Sequence, residues 1–119
     1  MITGISSFSI IASSEASIAF YEKLGFLVSH RMKRGYDTVV LLKGYGVLLQ
    51  LFIDPKHPVR ASDPENLGLR SVSFEIQSVD EIRTLFNCSE IKTDWFGRRY
   101  CTTYDPDGLP IQFVERKRI

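Results

Sequence analysis

Two glutamines stand at the centre of two short apolar strands. Gln50 lies within the run 46–52, and Gln112 lies within the run 105–115, 62 residues later. A glutamine amide both donates and accepts hydrogen bonds, and it carries no charge. An amide among apolar residues is expected where a strand lines a half-buried cavity, so the pair predicts a site that holds a ligand by neutral hydrogen bonds.

Two serines extend this pattern. Ser7 and Ser71 each open a strand at the start of a similar segment, 64 residues apart. Side chains alternate across a strand, so Ser7, Gln50, Ser71 and Gln112 are all expected on the strand faces away from the helices. A solvated sheet would also be polar there, but such surfaces usually carry Lys, Glu and Thr. Apolar neighbours such as Phe52 favour a cavity, in which the four residues converge.

Further candidate ligand-binding residues lie near these strands. Glu75 shares a strand face with Ser71, and His30 is on a strand where it could face the same cavity, although a lone strand histidine is more often structural or solvated. Trp95, Arg98 and Tyr100 cluster at a turn, where they could stack on and clamp an anionic or aromatic ligand. A solvated hairpin end is the alternative. No nucleophile–base pair or glycine-rich phosphate loop is evident, so the catalytic residues are unknown.

The elements that must position these residues form an internal repeat. The first module is predicted to contain a strand at 5–12, a helix at 15–24 beginning after Ser13 and Ser14, and strands at 26–33, 36–43 and 46–53. The second is predicted to contain a strand at 69–76, a helix at 79–85, and strands at 89–95, 98–104 and 109–115. Chance similarity of short strands is the alternative to a true repeat.

This order predicts an α+β protein made of two β-α-β-β-β modules. The modules span residues 1–53 and 69–119, and segment 54–68, with three prolines, is a linker. We expect them to form a single domain, 1–119, in which curved mixed sheets make a cup and the helices cover the outer face.

Composition excludes several classes of function. The net charge of +1, with both signs mixed along the chain, argues against a nucleic-acid surface. The basic cluster 116–118 is expected to be solvated. No apolar run approaches the roughly 20 residues of a membrane helix, and no secretory signal is evident, so we expect a cytoplasmic protein. Cys88 and Cys101 match no metal or redox spacing; reduced thiols are expected, with one disulfide left open.

Four segments together resemble the vicinal oxygen chelate superfamily, which includes glyoxalase I, bleomycin-resistance proteins and extradiol dioxygenases. They span residues 19–26, 48–52, 68–76 and 105–115, and the resemblance covers essentially the whole chain. It implies two modules whose curved sheets form a cup, and a homodimer in which modules are sometimes exchanged between chains. Metal-dependent members hold a divalent ion with ligands from the first and last strand of each module.

The positions that match those ligands are Ser7, Gln50, Ser71 and Gln112. The resemblance implies that these ligands are typically His, Glu or Gln, with histidine usual at the two serine positions and glutamate usual at Gln112. Neutral hydroxyl and amide oxygens offset the dehydration of a divalent ion poorly, so we expect no metal cofactor. The superfamily's means of stabilising an enolate or activating oxygen would then be missing.

Three functions follow from the resemblance. The first is a small-molecule binder of the bleomycin-resistance kind, which sequesters or senses a ligand in a metal-free cup that is part polar and part apolar. The second is a metal-dependent lyase, isomerase, dioxygenase or thiol transferase, with its metal ligands shifted to His30 or Glu75. The third is a degenerate scaffold whose role is association.

Overall fold

The computed structural model describes residues 1–116, so Lys117 and Arg118 of the basic cluster lie outside the described residues. The chain divides into two compact units, residues 1–59 and 60–119. Each unit contains the element order β-α-β-β-β and one four-stranded mixed sheet, which confirms the predicted α+β class. Neither helix in the described part of the chain is long and apolar enough to cross a membrane.

The first unit is built around one mixed sheet. Its elements are β1 (Ser7–Ala12), α1 (Ala16–Lys23), β2 (Leu27–Lys33), β3 (Thr38–Gly44) and β4 (Val47–Ile53). The strand order is β1-β4-β3-β2, with β1 parallel to β4 and the other neighbours antiparallel. The first and last strands of the unit are therefore hydrogen-bonded neighbours.

Alternation along β4 places the core of this unit on one face of the sheet. Leu49, Leu51 and Ile53 are buried, while Gln50 and Phe52 between them are half-buried. Leu51 is completely inaccessible to solvent, and burying such a side chain stabilises the fold by about 1.5–3 kcal/mol. Gln50 thus lies on the opposite face from the core, as the alternation of the sequence predicts.

A two-residue turn joins β3 to β4. Tyr45 and Gly46 both have positive φ, 52° and 73°, as a type I′ hairpin turn requires. A tyrosine in this conformation is uncommon. Its hydroxyl donates a hydrogen bond to the Leu24 carbonyl, and its ring packs edge-on against Phe26 with 5.4 Å between centroids. These contacts hold the turn that sets the register between Leu41 and Gln50.

The start of α1 differs slightly from the prediction. The helix begins at Ala16, preceded by Glu15, whose side chain makes no capping hydrogen bond. Ser14 still contributes, because its Oγ accepts a hydrogen bond from the Ala16 N–H at 3.3 Å. The chain leaves the helix through Gly25, whose φ of 111° favours glycine.

The second unit repeats the arrangement with shorter strands. Its elements are β5 (Val72–Ile76), α2 (Val79–Leu85), β6 (Lys92–Thr93), β7 (Arg99–Tyr104) and β8 (Pro110–Glu115). The strand order is β5-β8-β7-β6, and β5 is parallel to β8. The first and last strands are again neighbours, which brings β5 and β8 side by side.

Two strand predictions were too long by three residues or more. The strand expected at 89–95 contains only Lys92 and Thr93, because Ser89 takes part in the pairing through its side chain. The Ser89 N–H donates to the Thr102 carbonyl at 2.8 Å, and its Oγ accepts from the Thr102 N–H at 3.0 Å. A side-chain hydrogen bond of this kind replaces a rung of the backbone ladder. The strand expected from residue 69 begins at Val72, so Ser71 precedes it.

Candidate functional site

In the first unit, a serine and a glutamine meet across the parallel strands β1 and β4. Nε2 of Gln50 donates a hydrogen bond to Oγ of Ser7 at 3.3 Å. Both side chains are half-buried. The structure therefore brings together the two residues that the sequence predicts for this unit, and their contact uses uncharged groups only.

The second unit contains a corresponding pair, but with a different serine. Ser73 is directly opposite Gln112 in the β5–β8 register, and its Oγ donates a hydrogen bond to Oε1 of Gln112 at 3.1 Å. Ser71 is half-buried just before β5. Ser71 and Ser73 are two residues apart and share a strand face, so the sequence pattern indicates the face but not which serine reaches the amide.

A pocket of about 440 Å³ opens beside this second pair. Five of the predicted ligand-binding residues line it: Glu75, Trp95, Arg98, Tyr100 and Gln112. Ser73 also belongs to the wall, together with side chains that sequence reasoning did not single out, such as Arg70 and Phe96. The pocket combines aromatic, amide and charged groups around one end of the β5–β8 pair.

One end of the pocket is formed by a tightly bonded turn between β6 and β7. The Asp94 carboxylate accepts hydrogen bonds from the Phe96 and Arg98 N–H groups, and the Arg98 guanidinium donates to it at 2.8 Å. Burial raises the pKa of Asp94, but the hydrogen bonds from Arg98 and Phe96 outweigh this effect and hold that pKa below its ordinary value. Trp95, at the tip, is 97% exposed.

The remaining predicted residues, His30 and Phe52, lie in the first unit. His30 is exposed on β2, with Nδ1 3.3 Å from Oγ of the adjacent Ser29. Phe52 is half-buried on β4, and its ring centroid is 5.5 Å from the Arg34 guanidinium. Neither residue belongs to the wall of the second-unit pocket.

Sequence reasoning missed an ion pair at the β2–β3 turn. Arg34 donates two hydrogen bonds to the Asp37 carboxylate, at 2.6 and 2.7 Å, and its guanidinium lies 4.7 Å from the centroid of the Tyr36 ring. The side-chain hydrogen bond from Arg34 is the main cause that lowers the pKa of Asp37. The signal in the sequence was the spacing of three residues between opposite charges.

The residues at the positions of the superfamily's metal ligands do not fit a divalent ion. Ser7, Gln50, Ser71 and Gln112 offer only neutral hydroxyl and amide groups, and each glutamine amide is hydrogen-bonded to a serine, Gln50 to Ser7 and Gln112 to Ser73. Divalent transition-metal ions in proteins are held mainly by carboxylates, imidazoles or thiolates, and neutral hydroxyl groups are weak ligands. Across residues 1–116, no three His, Cys, Asp or Glu side chains lie close enough together to hold a metal ion.

Two modules of β-α-β-β-β order, each with its first and last strands paired, define the vicinal oxygen chelate fold. No protein-family model matches the sequence. The chain is 34% identical over 127 residues to the uncharacterised protein YwkD of Bacillus subtilis, covering 98% of this chain and 99% of that protein. It is 33% identical over 119 residues to the uncharacterised protein YaeR of Escherichia coli, with 90% and 92% covered.

Among solved structures, a glyoxalase family protein from Enterococcus faecalis is similar to the chain with a TM-score of 0.89. The two are 34% identical, and the similarity covers 96% of this chain and 98% of that one. The chain therefore belongs to the glyoxalase family of the vicinal oxygen chelate superfamily.

Proposed function

We propose that this protein binds a small molecule by neutral hydrogen bonds, without a metal ion, in the pocket of its second unit. The observation that carries the proposal is the Ser73–Gln112 pair in the wall of the 440 Å³ pocket. Small-molecule sites are typically concave and combine apolar walls with a few placed polar groups. The pocket is concave and combines aromatic rings with an amide and several charged side chains. Its amide stands at a position where metal-dependent relatives are expected to carry a carboxylate.

The orientation of the Gln112 amide supports this proposal. Oε1 accepts the hydrogen bond from Ser73, and Nε2 donates to no other group within residues 1–116. A half-buried donor gains free energy, on the order of 1 kcal/mol, when a ligand acceptor replaces water as its partner. The Ser73 hydroxyl therefore fixes the amide so that its N–H groups are available to a ligand.

A site that binds by hydrogen bonds and ring contacts is best suited to sequestering its ligand. The groups proposed to contact the ligand hold it by hydrogen bonds and ring contacts, and they include no paired nucleophile and base. A protein that captures a toxic or signalling compound without converting it needs only affinity and concentration. A resistance or sensing role is consistent with such binding.

The proposed binding can be tested by changing Gln112 alone. A thermal-shift screen against a library of uncharged, anionic and cationic compounds identifies ligands of the wild-type protein. Gln112→Leu should weaken their binding about tenfold, because the amide hydrogen bonds are lost and the pocket becomes slightly more apolar. Gln77→Leu, an exposed change outside the pocket wall, is the matched control.

Two results would overturn the proposal. If ligands bind Gln112→Leu as tightly as the wild type, the amide does not form the site. If instead the unliganded variant loses most of its thermal stability, the main role of Gln112 is to stabilise the fold and not to bind a ligand. Metal analysis and titration with Zn²⁺, Ni²⁺ and Mn²⁺ test the enzyme alternative, since an ion bound in stoichiometric amount at micromolar affinity contradicts a metal-free site.

The proposal includes a cytoplasmic location and a homodimeric state. Cys88 and Cys101 are both free thiols, which is the usual state of cysteines in a reducing compartment. The homodimer is expected from the family resemblance. Light scattering on the purified protein measures its mass in solution, and a mass of one chain would contradict that expectation.

A further inference from the structure

Most of the charged groups in the wall of the second-unit pocket are paired within the protein. The Arg98 guanidinium lies 2.8 Å from the Asp94 carboxylate, and Arg70 lies 3.0 Å from Glu65. The hydrogen bond with Glu65 raises the pKa of Arg70, which reflects the favourable contact. Neither arginine is therefore left without a counter-charge for an anionic ligand.

The two remaining carboxylates of the wall also have partners. Oε2 of Glu115 accepts a hydrogen bond from the Val79 N–H at 2.9 Å and lies 3.4 Å from the Arg99 guanidinium. Glu75 lies 3.9 Å from Arg116. An ionic ligand would meet wall charges that already have opposite charges beside them, so it gains less from these groups than from an unpaired charge, whereas a neutral molecule leaves the pairs intact.

Three of the four aromatic residues of the same wall, Trp95, Phe96 and Tyr100, are not part of the buried core, whereas Phe74 packs against the buried Phe113 with 6.5 Å between ring centroids. Trp95 is 97% exposed and Phe96 is 54% exposed, while Phe74 and Tyr100 are half-buried. Large exposed aromatic side chains around a concave surface indicate a site that buries them on binding. Aromatic rings pair by offset stacking or by edge-to-face contact, and both arrangements favour a flat partner.

We propose that the second-unit pocket takes a neutral, planar aromatic molecule that carries a carbonyl-type hydrogen-bond acceptor. The aromatic side chains supply the contact area, and the acceptor receives the N–H groups of Gln112. This inference rests on the proposed function of the same pocket, and it adds the chemical class of the ligand.

Three related probes separate charge from planarity. Naphthalene-2-carboxamide is neutral, planar and carries a carbonyl; naphthalene-2-carboxylate adds a negative charge; decahydronaphthalene-2-carboxamide keeps the amide and loses the flat ring. Titrations followed by ¹H–¹⁵N NMR, including the side-chain amide signals of Gln112, give the affinities. The neutral aromatic amide should bind about tenfold more tightly than either of the others, since aromatic pairs contribute about 0.5–1.5 kcal/mol each.

A substitution tests the role of the exposed aromatic residues. Trp95→Ala should weaken binding of naphthalene-2-carboxamide several-fold, because it removes the largest of the rings at the pocket. The matched control is Tyr36→Ala, which removes a 70% exposed aromatic residue from the β2–β3 turn of the first unit and should leave the affinity unchanged. Circular dichroism of both variants checks that the fold is intact.

Equal binding of the carboxylate or of the saturated amide overturns the inference, and so does the absence of binding by all three probes. These outcomes differ from failure of the proposed function. If charged or non-planar library ligands bind and their binding requires Gln112, the metal-free site is supported and only the preference for aromatic ligands is contradicted. Ligands that bind regardless of Gln112 would remove the proposed function itself.

Discussion

Cys101 is a buried thiol whose surroundings change its acidity. It lies in β7, completely inaccessible to solvent. Burial, followed by a hydrogen bond with the Cys88 thiol, raises the pKa of Cys101 to about 12 from the ordinary value of 9.0. The reactive form of a cysteine is the thiolate, so the structure makes Cys101 an inert side chain at neutral pH.

This acidity predicts different alkylation rates for the two cysteines. Near pH 8 the raised pKa keeps Cys101 protonated and its burial excludes the reagent, so iodoacetamide should modify the half-buried Cys88 first. Mass spectrometry of timed digests measures both rates. Modification of Cys101 at the rate of Cys88 in the folded protein would contradict the buried environment.

The same pKa predicts a loss of stability in alkali. The folded state retains the Cys101 proton to higher pH than the unfolded chain does, so this contribution is fully present below pH 9 and is lost as the pH rises towards 12. Cys101→Ser removes the ionisation in this range, and urea unfolding at a series of pH values would show a flatter decline for the variant.

At the scale of the elements, two glycines with positive φ have different surroundings. At Gly46 a Cβ atom would meet nothing within 4 Å, whereas at Gly25 it would meet the phenol of Tyr45. Alanine at either position is strained by its backbone conformation. Only at Gly25 does the substitution also push on the tyrosine that holds the β3–β4 turn.

Gly25→Ala should therefore be the more destabilising of the two substitutions. Backbone strain alone costs about 1–2 kcal/mol, which is the expected loss for Gly46→Ala, and Gly25→Ala should exceed it. Urea denaturation of both variants measures the difference. Equal losses would show that the Tyr45 side chain moves aside without cost.

At the scale of the whole molecule, each unit has its own hydrophobic core, and the two are centred on corresponding strands. Leu51 follows Gln50 in β4, and Phe113 follows Gln112 in β8; both are buried. Leu51→Ala should cost about 2–5 kcal/mol of unfolding free energy and Phe113→Ala about 3–5 kcal/mol. Chemical denaturation tests both values. A loss of unfolding free energy below about 1 kcal/mol in either variant would show that its side chain contributes little to the stability of that unit.

The alternation of apolar residues and the glycine-centred turns were enough to predict the two helices and eight strands found within residues 1–116, although not their exact bounds. Register was not predictable to the same degree. A shift of two residues leaves every side chain on the same face, so Ser71 and Ser73 are equivalent in the sequence pattern. Only the parallel pairing of β5 with β8 shows that Ser73 meets Gln112.

The site also depends on contacts that leave little trace in the sequence. The wall of the second-unit pocket includes Arg70, which precedes β5, and Asp94, which closes a turn, and neither belongs to a periodic pattern. The shortness of β6 could not be predicted either, because it depends on how the Ser89 side chain replaces backbone pairing. Such details arise from tertiary packing and not from local propensity.

The two serine–glutamine pairs have opposite hydrogen-bond polarity. In the first unit the Gln50 amide donates an N–H to Ser7, and its carbonyl oxygen takes no part in that bond. In the second unit the Gln112 carbonyl oxygen accepts from Ser73, and its N–H groups take no part. The internal repeat thus preserves the residue types, while the hydrogen bond between them runs in opposite directions in the two units. The amide group turned away from the serine is therefore a carbonyl oxygen in the first unit and an NH₂ group in the second.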